Sequence, residues 1–287
     1  MSQPLRRRRL LSLQDSTVDG PASTEVASVL SHPCVNSRPG LGLIGYGAFG
    51  RLVAHHLAPF FTVHAYDPAM PAEAEAGVVA GSLRAAAGCP VVILAVPVPA
   101  IPGIVAEIGP HLRPGALVLD VGSVKAVAAA AMRDGLPEHV AIVATHPLFG
   151  PQSARDGIRG LKIALCEVRG GRTRDVAAFL RRCLGLDVIL TTPEAHDRDA
   201  AAVQGLTHLI ARVMVRMEPL PTRMTTRSFD LLMQAVEMVR HDAPEVFDAI
   251  ERSNPFAGSV RRRFVTEAAR LAQDLSEEGN GSAARAA

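Results

Sequence analysis

The chain has no tryptophan and only two tyrosines among its 287 residues. Little aromatic surface is on offer for stacking bases, and a net charge of +2 is too balanced for a nucleic-acid binder. Paired cysteines are missing too. Cys34, Cys89, Cys166 and Cys183 show no CxxC and no matched spacing, which reads as free thiols in a reducing cytoplasm. No long apolar run is uninterrupted: the uncharged stretch Ala85–Ala106 contains Pro90, Pro97, Pro99 and Pro102, which speaks against a membrane helix. Lysine stands only at Lys125 and Lys162, the other 28 of 30 basic residues being arginine. That bias is compositional, but it makes each lysine conspicuous.

What is present is an apolar fraction of 48%, enough for one large domain and a smaller one. Residues 1–38 begin with Arg6–Arg9 and continue without periodicity, the composition of a disordered tail; Asp15, Asp19 and Glu25 argue against a transit peptide. From Leu41 apolar strands alternate with helical segments. Strands are predicted at Leu41–Tyr46, Thr62–Tyr66, Val91–Val96, Leu117–Val121, Val140–Thr145, Lys162–Val168 and Val188–Thr191. Helices are predicted at Ala48–Leu57, Val124–Arg133 and Arg174–Leu184. The succession implies an α/β fold, a Rossmann-type doubly wound sheet spanning 39–192. Thr192-Pro193-Glu194 then starts a helical domain, 193–275, and the Gly/Ser/Ala-rich 276–287 reads as a disordered tail. So small a domain has little core of its own, so it is expected to pack on the sheet or to form a homodimer with a second copy.

Gly45-Tyr46-Gly47-Ala48-Phe49-Gly50 is a GxGxxG stretch that follows a strand and opens a helix. Gly45 permits the tight turn, Gly47 lets a pyrophosphate approach the backbone, and Gly50 allows close helix–strand packing. The helix N-terminus, with Ala48 and Phe49, offers N–H groups to the phosphates. Val96 and Pro97, ending the Val91–Val96 strand, complete the expected cofactor set. Asp67 lies twenty residues beyond Gly47 at a strand end. A carboxylate there accepts from ribose hydroxyls and repels a 2′-phosphate, favouring NAD over NADP, unless Asp67 only shapes the turn before Pro68.

Three segments could carry the chemistry. In Thr145-His146-Pro147-Leu148-Phe149-Gly150-Pro151, His146 stands at a strand's C-terminal end, where open α/β sheets bind ligands, and an imidazole suits proton transfer near neutral pH. It could equally satisfy loop backbone. In Asp120-Val121-Gly122-Ser123-Val124-Lys125, Ser123 either orients a substrate hydroxyl or caps its helix, and Lys125 either offers charge to a carboxylate or sits on the surface. On the helix after Thr192, His196, Ala200, Gln204, His208 and Arg212 recur every four residues on one face. Val203, Leu206, Ile210 and Val213 form a separate apolar stripe expected to face the core. The polar face could be solvated or could line a cleft. His196 and His208 lack a nearby third ligand, so no metal is expected.

Together these segments resemble the prephenate/arogenate (cyclohexadienyl) dehydrogenase family of tyrosine biosynthesis, over roughly Gly40–Gly258. THPLFGPQSA at Thr145–Ala154 is similar to the family's HPMFGP motif, DVGSVK at Asp120–Lys125 to its D-x-x-S-x-K turn, and EAHDRDAAAVQGLTHLIA at Glu194–Ala211 to its HD…Q/S…H helix. The resemblance implies that His146 takes the C4 hydroxyl proton as hydride passes to NAD, with Ser123 orienting both. It implies that Gln204 and His208, with Lys125, serve a small-molecule substrate, prephenate or arogenate, which then loses carbon dioxide. Many members carry an arginine for a substrate carboxylate where this chain has Met238; Arg227, Arg240 or Arg212 could substitute, or the substrate could be arogenate or an amino analogue. No fused regulatory domain is expected in the remaining length. A β-hydroxyacid-type dehydrogenase would place a catalytic lysine on the first helix of its second domain, yet Pro193–Glu218 has none. A dinucleotide sensor would have no use for His146.

Overall fold

Val91–Leu94, Leu117–Leu119 and the first half of Ala141–Pro147 are unbroken apolar runs, the pattern of strands covered on both faces. In a computed structural model, which describes residues 30, 38–70 and 75–285, they form the centre of an eight-stranded sheet. The expected tail at 1–38 lies outside the described residues except at 30 and 38.

In chain order the sheet domain comprises β1 (Gly40–Ile44), α1 (Ala48–Leu57), β2 (Thr62–Tyr66), β3 (Val78–Ala80), α2 (Leu83–Ala87), β4 (Val91–Leu94) and α3 (Ile101–Ile108). Then follow β5 (Leu117–Asp120), α4 (Ala126–Gly135), β6 (Ala141–Pro147), β7 (Lys162–Arg169), α5 (Thr173–Cys183) and β8 (Asp187–Thr191). Across the sheet the order is β3-β2-β1-β4-β5-β6-β7-β8. The chain winds outward from β1 in one direction and then from β4 in the other, so a crevice opens between the ends of β1 and β4.

The first six strands are parallel, but β7 runs antiparallel to β6, pairing His146 with Ala164 and Pro147 with Ile163. A parallel partner needs a crossover helix; the link 148–161 has only turns and cannot supply one. That pairing also draws His146 into the last turnings of β6, where the sequence pattern ended the strand at Thr145. Three-residue β3 is too short to show as a periodic run.

Behind the sheet lie α6 (Pro193–Arg216), α7 (Arg227–Val239), α8 (Pro244–Asp248), a π-helical turn (Ala249–Ser253) and α9 (Ala257–Arg285). α9 passes Asp274 and runs through most of the segment expected to be a tail, the helix-favouring Ala272–Glu278 continuing its pattern. Among the described residues no helix is long and apolar enough to cross a membrane.

α6 reverses the expected orientation. Its buried residues are His196, Asp197, Ala200, Ala201, Gly205, His208 and Ala211, whereas Val203 is 70% and Val213 46% exposed. Small residues at Ala200, Ala201 and Gly205 let the helix approach closely, and its polar groups find partners there. Of the apolar stripe, Val203 and Val213 are left facing outward while Leu206 and Ile210 are half-buried.

Candidate active site

The turn after β1 is built for close approach. Gly45 has φ +99°, and a Cβ there would stand 2.3 Å from the Ala95 carbonyl oxygen; one at Gly50 would stand 2.2 Å from that of Gly45. Gly47 is different: a Cβ would meet nothing within 4 Å, so the space over its backbone is open. No side chain caps α1, whose first N–H groups face that space. Val96 and Pro97 follow β4 beside the turn, Val96 Cγ1 lying 3.2 Å from the position of a Gly45 Cβ. Asp67 Oδ2 accepts the Tyr46 N–H at 2.7 Å and Oδ1 that of Ala69 at 2.8 Å. The carboxylate therefore both shapes its own turn and stands against the glycine turn. An open glycine, uncapped donors and a carboxylate at the end of β2 fit a dinucleotide.

His146 is buried near the end of β6. Side chains alternate along a strand, so Thr145 and Pro147 line an apolar cavity with Phe49, Leu119 and Phe149 while His146 points to the other face, toward α6. There its Nδ1 lies 2.8 Å from His196 Nε2, and His196 Nδ1 lies 2.8 Å from Asp197 Oδ1. On its other side His146 Nε2 faces the Gln204 amide nitrogen at 3.4 Å. Burial, and then the neighbouring His196 and Lys125, hold the His146 pKa well below that of an ordinary histidine. Near neutral pH the ring is uncharged and able to accept a proton.

Ser123 lies half-buried in the turn after β5, one strand over from His146. It does not cap α4. The carboxylate of Asp197 does so instead, accepting the N–H groups of Lys125 at 2.7 Å and Ala126 at 2.8 Å from across the domain boundary. The Ser123 hydroxyl is thus left for another partner.

Lys125 departs from expectation. Its side chain has no exposure at all; the ammonium donates to the equally buried Asp120 carboxylate and, at 2.6 Å, to the Thr145 carbonyl. An ammonium so enclosed ties β5 to β6 and offers no charge to a substrate. The lysine is conspicuous because it is structural.

Gln204 is half-buried, and its Oε1 is enclosed without a partner. His208, one turn along α6, lies 3.8 Å from Asp242 Oδ2. Asp242 follows α7 and also approaches the loop after β6, its Oδ1 lying 3.8 Å from where a Gly150 Cβ would be. Burial lowers the His208 pKa and raises that of Asp242. Arg240 is paired with Glu218 and Glu237, Arg227 is exposed, and Met238 itself is 49% exposed. Arg212 stacks over Phe247 at 4.5 Å and stands near enough to His208 to add, after burial, to the lowering of its pKa.

The sequence pattern did not single out Asp197, Asp242 or Asn254, whose amide donates to the Asp197 carbonyl at 2.8 Å. For Asp197 a signal existed. It sits beside His196 near the start of α6, and a His-Asp pair at a domain boundary can pair with the strand that faces it.

Residues 61–169 match the family model described as prephenate dehydrogenase, nucleotide-binding domain. The match begins after the glycine turn, which therefore stands on its own geometry. A Methanocaldococcus jannaschii protein named "Probable arogenate/prephenate dehydrogenase" is 27% identical over 203 residues, covering 67% of this chain. The chain spans only 45% of that protein's length. The 4-amino-4-deoxyprephenate dehydrogenase of Streptomyces pristinaespiralis is 29% identical over 246 residues, 80% of this chain and 82% of that one. Among solved structures, prephenate dehydrogenase from A. aeolicus, in complex with hydroxyphenyl propionate and NAD+, superposes with a TM-score of 0.64 at 18% identity, over 85% of this chain and 93% of that one. That likeness establishes a shared fold.

Proposed function

We propose that this chain is a member of the prephenate/arogenate dehydrogenase family, whose nucleotide-binding domain it matches over residues 61–169, and that it oxidises a cyclohexadienyl carboxylic acid with NAD, with loss of carbon dioxide, in tyrosine biosynthesis. One observation carries the reading: His146, buried near the end of β6, presents Nε2 toward Gln204, and burial holds its pKa well below that of an ordinary histidine. Gly45, Gly47 and Gly50, with Ala48, Phe49, Val96 and Pro97, hold the cofactor, and Asp67 selects NAD over NADP. The dinucleotide supplies the acceptor for a hydride leaving the ring carbon.

His146 Nε2 takes the proton from the hydroxyl on that carbon, and Ser123, whose hydroxyl caps nothing, orients the same group. The carbon–oxygen bond becomes a carbonyl. The bond to the ring carboxylate then breaks, its electron pair completes the aromatic ring, and carbon dioxide leaves. The proton held on His146 returns to the oxygen as the phenol forms, so no proton is gained or lost in the cycle.

The far end of the site favours an amine over a second carboxylate. Asp242 stands there with its pKa raised by burial and His208 3.8 Å away. A side-chain ammonium, as in arogenate, would draw that carboxyl back to its charged form and pair with it; a second carboxylate would gain no such partner from Asp242. The exposed stripe at Val203 and Val213 makes a homodimer through the helical domain the fitting assembly. The free cysteines, buried at Cys89 and Cys166, fit a cytoplasmic enzyme.

The deciding experiment is kinetic: prephenate, arogenate and 4-amino-4-deoxyprephenate, each with NAD and with NADP. Formation of NADH with one of them, fastest with NAD and an amine-bearing acid, is expected. A folded protein that turns over none of the three overturns the reading.

A further inference from the structure

Asp197, His196 and His146 form an unbroken chain of 2.8 Å contacts through a buried site. The protons along it can be placed from the Asp197 end. Its carboxylate receives three donors, the N–H groups of Lys125 and Ala126 and one ring nitrogen of His196. A carboxylate so placed only accepts, so the proton facing it belongs to His196 Nδ1. Neutral His196 then has a bare Nε2, which must accept from His146 Nδ1. What is left to His146 at Nε2 is a lone pair. The reverse arrangement would set the His196 Nδ1 lone pair against a carboxylate oxygen at 2.8 Å, two acceptors facing each other where water cannot intervene. The other charged groups near the chain, Lys125 and Asp120, are bound to each other, and Gln204 faces only the outer nitrogen.

We propose that His196 is a positioning residue: backed by Asp197, it holds His146 in the Nδ1–H tautomer and so makes Nε2 the proton acceptor of the reaction proposed above, on which this inference rests. Ring tautomers are set by the hydrogen bond on the far nitrogen, and a base held in the wrong tautomer cannot take the proton however well it is placed.

The test has an arm that needs no turnover. Nitrogen-15 spectra of the histidine side chains in the purified protein, at pH 7.5, should show His146 and His196 both protonated at Nδ1 and bare at Nε2. His146 protonated at Nε2 overturns the proposal, whichever acid the enzyme uses. In Asp197→Asn the new amide can donate toward His196, and His146 should change tautomer. In kinetics, His196→Ala should lower kcat about 100-fold with KM within about twofold. His196→Gln, whose carbonyl oxygen can still accept from His146 Nδ1, should recover most of that loss. Wild-type kcat in His196→Ala would overturn the proposal. Failure to turn over any acid would sink the functional reading alone, because the spectra still report the tautomer.

Discussion

The carboxylate of Asp197, near the start of α6, accepts the backbone N–H of Lys125 at 2.7 Å and so caps a helix belonging to the sheet domain. The same oxygen receives Nδ1 of His196, and Asn254 donates to the Asp197 carbonyl from beyond α8. Residues distant in sequence therefore converge on one acid, which joins the two parts of the chain directly behind His146. A helix N-terminus favours a negative group, so the junction is electrostatically matched as well as hydrogen-bonded.

On the proposed mechanism, in which His146 takes the hydroxyl proton, His146→Asn should lower turnover by about 10³-fold and leave NADH binding, followed by fluorescence, near wild type. Its lowered pKa places the acid limb of kcat/KM well below pH 6.5, with activity falling only as the pH drops through that lowered pKa. Stability should follow the same groups. His146 and His208 bind protons more weakly when folded, so stability is full above their unfolded pKa near 6.5 and declines below it. A Tm that stays constant between pH 8 and about 5.5 would contradict this.

Two glycines of one motif should behave oppositely. Gly45→Ala forces a side chain into φ +99° and against the Ala95 carbonyl, so a marked loss of Tm is expected. Gly47→Ala meets open space and should fold within about 0.5 kcal/mol of wild type, yet bind NAD at least about tenfold more weakly. Titration calorimetry beside thermal melts separates the two effects.

Lys125→Met leaves the Asp120 carboxylate buried without its cation. Breaking such a pair from one side costs about 3–5 kcal/mol, readable by urea denaturation. A variant of unchanged stability whose KM for the acid alone rises would return Lys125 to the substrate.

Val203→Asp puts a charge into the exposed stripe of α6. Sedimentation should show the wild type as a dimer and the variant as a monomer at the same concentration. A monomeric wild type would leave the stripe without its proposed role.

Asp242→Asn removes the acid at the far end of the site. We expect kcat/KM for arogenate to fall about tenfold relative to prephenate, about 1.4 kcal/mol of discrimination. An unchanged ratio would take the amine contact away from Asp242.

Local patterns carried much of the architecture. α1 and β2 begin and end where apolar periodicity and the Asp67-Pro68 turn put them, because their signals lie within a few residues. The reversal of β7 was not legible: it depends on a link too poor in helix to cross the sheet, and on pairing between strands separated by that link.

The site divides along the same line. Its residue types were written locally: a glycine turn, an acid after β2, a histidine at the end of β6, an amide and a histidine one turn apart on α6. Their roles depended on what each meets in space. Lys125 faces Asp120 across a buried gap, so it became a tie between strands. His196, Asp197 and His208 of α6 are buried while Val203 and Val213 are exposed, since the sheet domain offers His146 and the first turn of α4 as partners for Asp197 and His196. Periodicity reveals that a helix has two faces. Which face is buried is settled by the partners that folding brings to it.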